Sequence, residues 1–416
     1  MRLGRRPRPA ESRIFKPWVG RTVPVSRFLD AAMKTSRNLK NHFGHSEKVV
    51  KTFDQLKVLQ PPNLPPEIRR RAELFMSPPT RGRRFLFGRN EHSAALAQAI
   101  EIDGFVDDFA TEATWQGKPV LKGEAIPPDA IVVNCSFSIR PVSASRRIRE
   151  ICPEGALEYA DLMAAFPDRI PVPSFVAETR ADFHQNRSRW SALMESLADD
   201  ESRQVLTDVL KFRLSGDVRH MATYTFKPKD QYFEPFLSLP AGAVFVDCGG
   251  FDGDTTEEFC RRYPDYRKVY LFEPAAGNLQ KAQSRLQNHR DIEFIEKGLS
   301  DKTGTLAFNP EAGSASSVSE AGSCQIQVTT LDEAIREPVS YIKMDLEGWE
   351  LKALAGAQQH IRGDLPCLAL SVYHKVSHFW QILDQVQIKP HAFDVYLRHY
   401  TEGWSETIMY CISHEN

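Results

Sequence analysis

Between residues 243 and 255 the chain reads Ala243-Val-Phe-Val-Asp-Cys-Gly-Gly-Phe-Asp-Gly-Asp-Thr255. An apolar strand runs through Asp247 into a glycine-rich bend and then into a helix, with Thr255 and Glu258 spaced as a capping box. Gly249, Gly250 and Gly253 let the backbone turn sharply and let a ligand lie against bare peptide at a helix N-terminus. No other stretch narrows the fold as far, because a strand, a glycine bend and a helix in this order build a parallel α/β sheet.

The next strand, Lys268-Val-Tyr-Leu-Phe-Glu273-Pro274, ends in a carboxylate 26 residues after Asp247, where it can hold both hydroxyls of a ribose. Asp247, Asp252 and Asp254 crowd the bend, and their charge repels a pyrophosphate while tolerating a cationic ligand. S-adenosyl-L-methionine carries a sulfonium and an ammonium, so an acidic glycine loop favours it over a dinucleotide. Strands at Ile292–Asp301 and Tyr341–Gly348 continue the alternation, and a helix is expected from Trp349 to Ile361. A strand over Pro366–His374 and a helix containing Phe379, Trp380, Ile382 and Leu383 come next. Two strands, Ala392–His399 and Thr407–Ile412, close the pattern as an antiparallel pair.

The length of 416 residues predicts two or three domains. Residues 1–80 read as a basic tail, a helical lead-in and a proline-rich linker containing Pro61, Pro62, Pro65 and Pro66; the first 25 residues hold seven basic side chains and one acid. Residues 81–150 read as a small Rossmann-like α/β unit, opened by the strand Phe85-Leu-Phe87 and a turn at Gly88. Its glycine pattern is partial, because Asn90 and Ser93 stand at later positions of the bend. Both a ligand-free scaffold and a nucleotide or sugar-nucleotide site are open readings. Residues 151–235 form a helical bridge whose Trp190, Leu193, Leu197, Val205, Val209 and Leu210 recur at helical spacing as packing residues, and 236–416 form the ligand-binding domain.

That last segment resembles the FkbM family of class I, S-adenosylmethionine-dependent methyltransferases. The residues carrying the likeness are Val246 to Thr255, Phe272-Glu-Pro274, Gly298-Leu-Ser-Asp301, Val328-Thr-Thr-Leu-Asp332 and Ile342-Lys-Met-Asp-Leu-Glu-Gly-Trp-Glu350. The resemblance implies a seven-stranded Rossmann-like sheet and O-methyl transfer to a hydroxyl. It implies that Asp247, Gly249, Gly250, Phe251, Gly253, Asp254 and Thr255 serve the methionine and ribose side of the cofactor, with Glu273 and Pro274 at the ribose. Ser300 and Asp301 are then expected near the adenine, and Asp345 near the transferable methyl.

A sugar hydroxyl is a weak nucleophile until a base takes its proton. His374 is the first candidate because an unperturbed histidine titrates near pH 6.5, and Glu347 and Asp345 follow; packing or charge pairing is the competing role for all three. Tyr373, Lys375, Arg398 and His399 are candidate acceptor contacts, although polar residues on an edge strand often only face water. Two carboxylates one residue apart, Asp345 and Glu347, are too thin a basis for a metal. The expected activity is O-methylation of a saccharide or glycoconjugate hydroxyl. The alternatives are a lipid-like or polyketide hydroxyl, or a non-catalytic S-adenosylmethionine-binding module in glycan assembly.

With 53 Lys and Arg against 54 Asp and Glu, the chain lacks the basic footprint of a nucleic-acid binder. Seven cysteines without metal-ligand spacing suit reduced thiols, and no apolar run approaches the ~20 residues of a transmembrane helix. A cytoplasmic protein acting on a small-molecule or glycan acceptor is expected, with a homo-oligomer left open.

Overall fold

Buried parallel strands favour apolar runs, and such runs build two separate sheets, one on either side of the helical segment. The computed structural model describes residues 64–77, 83–309, 317–318, 324–386 and 392–413. The basic segment 1–25 and most of the lead-in lie outside the described residues, as does most of the Ser- and Gly-rich stretch 309–323.

Pro66 opens a helix, Pro66–Met76, in the first turn, where a missing N–H costs no hydrogen bond. Ala72 and Phe75 of this helix are fully buried, so part of the expected linker is a packed element. The first sheet contains β1 (Arg84–Phe87), β2 (Gly104–Val106), β3 (Thr114–Trp115), β4 (Lys118–Leu121), β5 (Ile131–Asn134) and β6 (Ala156–Glu158). Its order is β3-β4-β2-β1-β5-β6, parallel except between β3 and β4, and it runs past residue 150 to Glu158. Helices Tyr159–Ala165, Ser174–Gln185, Arg187–Ser196 and Asp200–Ser215 follow. Trp190, Leu193, Leu197, Val205, Val209 and Leu210 are all buried in one continuous core that reaches into the second sheet.

The second sheet is built from β7 (Val244–Cys248), β8 (Lys268–Phe272) and β9 (Ile292–Ile295). A side sheet then intervenes, made of β10 (Gly298–Leu299), β11 (Gly304–Asn309), β12 (Ser317–Val318) and β13 (Cys324–Thr329). The main sheet resumes with β14 (Tyr341–Met344), β15 (Cys367–Ser371), β16 (Phe393–His399) and β17 (Thr407–Ser413). Its order is β16-β17-β15-β14-β7-β8-β9, with β17 antiparallel to both β15 and β16. From β7 the chain moves outward through β8 and β9, and then returns to add β14 on the opposite side. The crevice at the strand C-termini beside this reversal is where such sheets place ligands.

Three local expectations change. The strand expected over Ile292–Asp301 divides between the two sheets at Glu296-Lys297. The helix expected from Trp349 to Ile361 breaks into Glu350–Ala355 and Gln358–Gly363, and at the break Gly356 packs so close to Ser300 that a Cβ there would lie 2.0 Å from the Ser300 carbonyl oxygen. The Thr255–Glu258 capping box does not form: the helix Asp254–Arg262 starts one residue earlier with Gly253 as its cap, and Glu258 pairs with Arg261 and Arg262 instead.

The β16–β17 turn joins the two sheets. Trp404 N–H donates to Phe137 O at 3.0 Å and Glu402 N–H to Ile139 O at 2.9 Å. The Glu402 carboxylate in turn accepts from Ser143 N–H at 2.6 Å and Ser143 Oγ at 2.7 Å. Among the described residues no helix is long and apolar enough to cross a membrane.

Candidate active site

A cleft of about 270 Å³ opens at the C-terminal ends of β7, β8, β14 and β15. One wall is the glycine bend. Gly249 has φ +81°, and a Cβ there would lie 2.1 Å from the Asp345 carbonyl oxygen, so the bend and the end of β14 meet backbone to backbone. Phe251, Asp254 and Thr255 continue this wall, and Glu273 and Pro274 follow from the end of β8. Glu273 is 6% exposed; its Oε2 accepts the Phe251 N–H at 3.1 Å and its Oε1 the Ala275 N–H at 2.9 Å. Burial raises its carboxyl pKa, and these N–H donors counter that rise.

Several expected cofactor residues stand behind the wall. Asp247 is fully buried, bonded by Thr256 Oγ1 at 2.8 Å and paired with Lys343 Nζ at 3.0 Å. Lys343 also donates to Gly249 O at 2.7 Å, so this buried pair ties β7 and β14 to the bend. A Cβ on Gly250 would strike Leu271 at 2.4 Å, and one on Gly253 would meet Leu286 at 2.9 Å; both glycines serve close packing. Ser300 is buried with its hydroxyl on Asp301, and Asp301 pairs with Lys352 at 2.7 Å. Lys297, Gly298 and Leu299 line the cleft at that end, where Ser300 and Asp301 were expected.

The opposite wall is polar and largely acidic. Asp345 and Glu347 line it together with Gln231, Tyr232, Tyr373 and Glu406. Tyr232 Oη donates to Asp345 Oδ2 at 2.8 Å, Tyr373 Oη lies 3.4 Å from Oδ1, and Gln231 Nε2 donates to Glu406 Oε2 at 2.7 Å. Burial first and the Asp345 charge second push the Glu406 carboxyl up to about 7. A carboxyl near neutrality facing such a cleft can accept a proton at working pH.

His374 has a different character from the base the sequence suggested. Its Nδ1 lies 2.9 Å from Glu350 Oε1, and its Nε2 lies 3.3 Å from Glu347 and 3.5 Å from Asp345. Burial is the largest single influence and would lower its pKa, but the charges and hydrogen bonds of Glu350, Glu347 and Asp345 together outweigh it, so the ring is held well above its ordinary value. An imidazolium fixed among carboxylates has no free site for a substrate proton. Glu350 anchors the group: it is fully buried, its Oε2 is 3.1 Å from His378, and its Oε1 accepts the Leu346 N–H at 2.9 Å and the Gly348 N–H at 3.3 Å. This carboxylate shapes the 346–348 loop, where Glu347 and Gly348 adopt positive φ. Asp345, Glu350 and His374 offer ligand atoms within 4.8 Å of one another, a spacing that also suits a cation, but ion pairs already engage each of them.

Of the proposed acceptor contacts, the fold brings only Tyr373 to the cleft. Lys375 is exposed beyond Gly348. Arg398 pairs with Asp199 at 2.7 Å, and His399, bonded to Thr407 at 2.9 Å, is pushed down to about 3 by burial. Both line a separate cavity of about 450 Å³. Gln231, Tyr232 and Glu406 come to the cleft from segments with no motif around them. In the first sheet, the Asn90 side chain already accepts the His92 and Ser93 N–H groups that a phosphate at that helix end would use.

The strand order, the crevice beside the reversal and the acidic glycine bend define a class I methyltransferase fold. Residues 247–401 match the family model described as the methyltransferase FkbM domain. Among solved structures, an FkbM methyltransferase from Methylobacillus flagellatus KT is similar with a TM-score of 0.65 and 22% identity, over 89% of this chain and 99% of that one. An rRNA methylase from Streptococcus thermophilus matches at a TM-score of 0.30 and 18% identity, over 42% of this chain and 88% of its own. Aeropyrum pernix fibrillarin with natively bound S-adenosyl-L-methionine matches at 0.27 and 11%, over 42% and 67% respectively. No curated protein matches the chain.

Proposed function

We propose that this cleft holds S-adenosyl-L-methionine and that the protein methylates a hydroxyl of a saccharide or glycoconjugate. When bound, the cofactor supplies an electrophilic methyl group on a neutral leaving group. The fit rests on the chain itself: Gly249 lets the bend close against the end of β14 and lines the cleft, Glu273 offers a strand-end carboxylate to ribose hydroxyls, and the acidic wall suits a cation.

Glu406 carries the catalytic part of the reading. In its ionised form it takes the proton of the acceptor hydroxyl as the oxygen attacks, so negative charge moves onto the oxygen and the proton ends on the carboxyl. Asp345, held by Tyr232 and Tyr373, fixes the acceptor side of the cleft. The imidazolium of His374 balances Glu347 and Glu350, keeping the 346–348 loop in place as a positioning group.

The observation favouring a hydroxylated acceptor over an apolar one is the wall of Gln231, Tyr232, Asp345, Glu347, Tyr373 and Glu406, which would strand its polar groups against a polyketide or lipid chain. Transfer of a labelled methyl group from S-adenosylmethionine should be seen with hexoses and oligosaccharides and not with long-chain alcohols. The reverse preference would overturn the assignment.

A further inference from the structure

Behind Tyr373 lies a second cavity of about 240 Å³, enclosed by the helix Ser174–Gln185, the start of the helix Glu91–Ala99 and the β16–β17 turn. Tyr373 lines both this cavity and the methyl-transfer cleft. The feature that the fold leaves unexplained is Arg213, in the last turn of the helix Asp200–Ser215 and only 2% exposed. Its Nη2 donates to the carbonyls of Tyr373 at 2.7 Å and Trp404 at 3.1 Å, while its buried Nε has no acceptor. Phe379 and Trp404 flank the guanidinium at 5.4 and 5.6 Å from their ring centroids.

Among the described residues no carboxylate makes an ion pair with Arg213. The acidic influence on it, Glu178, is itself an exposed residue of the same cavity. Burial lowers the guanidinium to about 10. Taking a charge out of water without a counter-ion costs several kcal/mol, a cost normally offset by a bidentate carboxylate or phosphate. Phe175 and Trp404, stacked at 24° in the wall, add a flat aromatic surface of the kind a sugar ring can cover.

We infer that this cavity is the acceptor's second subsite and that Arg213 binds an anionic group carried by the acceptor, so the methylated compound is an acidic saccharide bearing a carboxylate or a phosphate. The inference rests on reading the neighbouring cleft as the methyl-transfer site. It adds that the N-terminal sheet domain, through the Glu91–His92 end of its helix, helps to enclose the acceptor.

Calorimetry on the full chain with glucuronate, glucose 6-phosphate and glucose tests this, with S-adenosylhomocysteine titrated separately. At least one anionic probe should bind tenfold or more tightly than glucose, and the stronger of the two identifies carboxylate or phosphate. Arg213→Gln should lose that preference while its S-adenosylhomocysteine affinity stays within threefold. Should Arg213→Gln fail to fold, Glu178→Gln decides: loss of an exposed carboxylate from the cavity should tighten the anionic probe about twofold to fivefold and leave glucose unchanged. Equal binding of all three sugars, or a preference unmoved by the variant that folds, overturns the inference while S-adenosylhomocysteine binding keeps the parent reading intact. Anion binding without S-adenosylhomocysteine binding removes the parent reading instead.

Discussion

Glu406→Gln separates proton transfer from shape. The amide can still accept the Gln231 bond but can neither ionise nor take a proton. In the folded protein this carboxyl sits near 7 against an ordinary value of 4.5, raised first by burial and then by Asp345. At about 1.4 kcal/mol per tenfold change, ionising it costs roughly 3 kcal/mol more than in the unfolded chain. The sign follows from the raised value: below pH 4.5 both states are protonated, and between 4.5 and 7 the unfolded chain has released a proton that the folded chain retains. Wild-type stability therefore falls across that window as pH rises and is level above it. Glu406→Gln should lack this decline and be more stable at pH 8, by up to about 3 kcal/mol in urea denaturation. Its kcat should fall by about 10² to 10⁴, the usual contribution of a general base, and the rise in wild-type kcat through pH 7 should disappear. A variant with kcat within threefold of wild type and the same pH rise would refute the role of Glu406.

His374→Asn should destabilise the fold by about 3 kcal/mol or more, because the buried Glu350 carboxylate loses the His374 imidazolium; whatever activity remains should keep its rise through pH 7, and loss of that rise would return His374 to the role of base. Lys343→Met strands the buried Asp247 carboxylate and should cost about 3–5 kcal/mol in chemical denaturation, so an unchanged midpoint would contradict the ion-pair reading. Gly249→Ala must fit a Cβ 2.1 Å from Asp345 O at φ +81°, and should weaken S-adenosylhomocysteine binding at least tenfold in calorimetry with the far-UV circular dichroism retained.

The second sheet was readable because its signals are local. Its buried parallel strands are mostly apolar runs, and the bend at Gly249 and the carboxylate at Glu273 sit at fixed distances along the chain from the strands that aim them. The roles within the motif were less legible. Asp247 reads as a ligand group in sequence, and only the pairing of β7 with β14 shows that Lys343 takes it into the interior. His374 looks like a neutral base until Glu350, 24 residues earlier, is packed beneath it. Glu406 lay beyond motif reasoning altogether: it follows Glu402-Gly-Trp-Ser405 in a turn fixed by hydrogen bonds to Phe137 and Ile139, in the loop after β5, and to Ser143 in the helix that follows, and only that docking carries it to Tyr373 and Asp345. Arg398 and His399 lie away from the cleft for a related reason, since the helix Asp200–Ser215 and its cap Asp199 cover their strand.

A crystal of the full chain soaked in S-adenosylhomocysteine tests the assignment most directly. The thioether ligand should lie along the Gly249–Phe251 backbone with both ribose hydroxyls on the Glu273 carboxylate and its sulfur turned toward Asp345, Tyr373 and Glu406. Density for the ligand at any other place, or a cleft left without it at saturating concentration, would contradict the assignment of this crevice as the cofactor site.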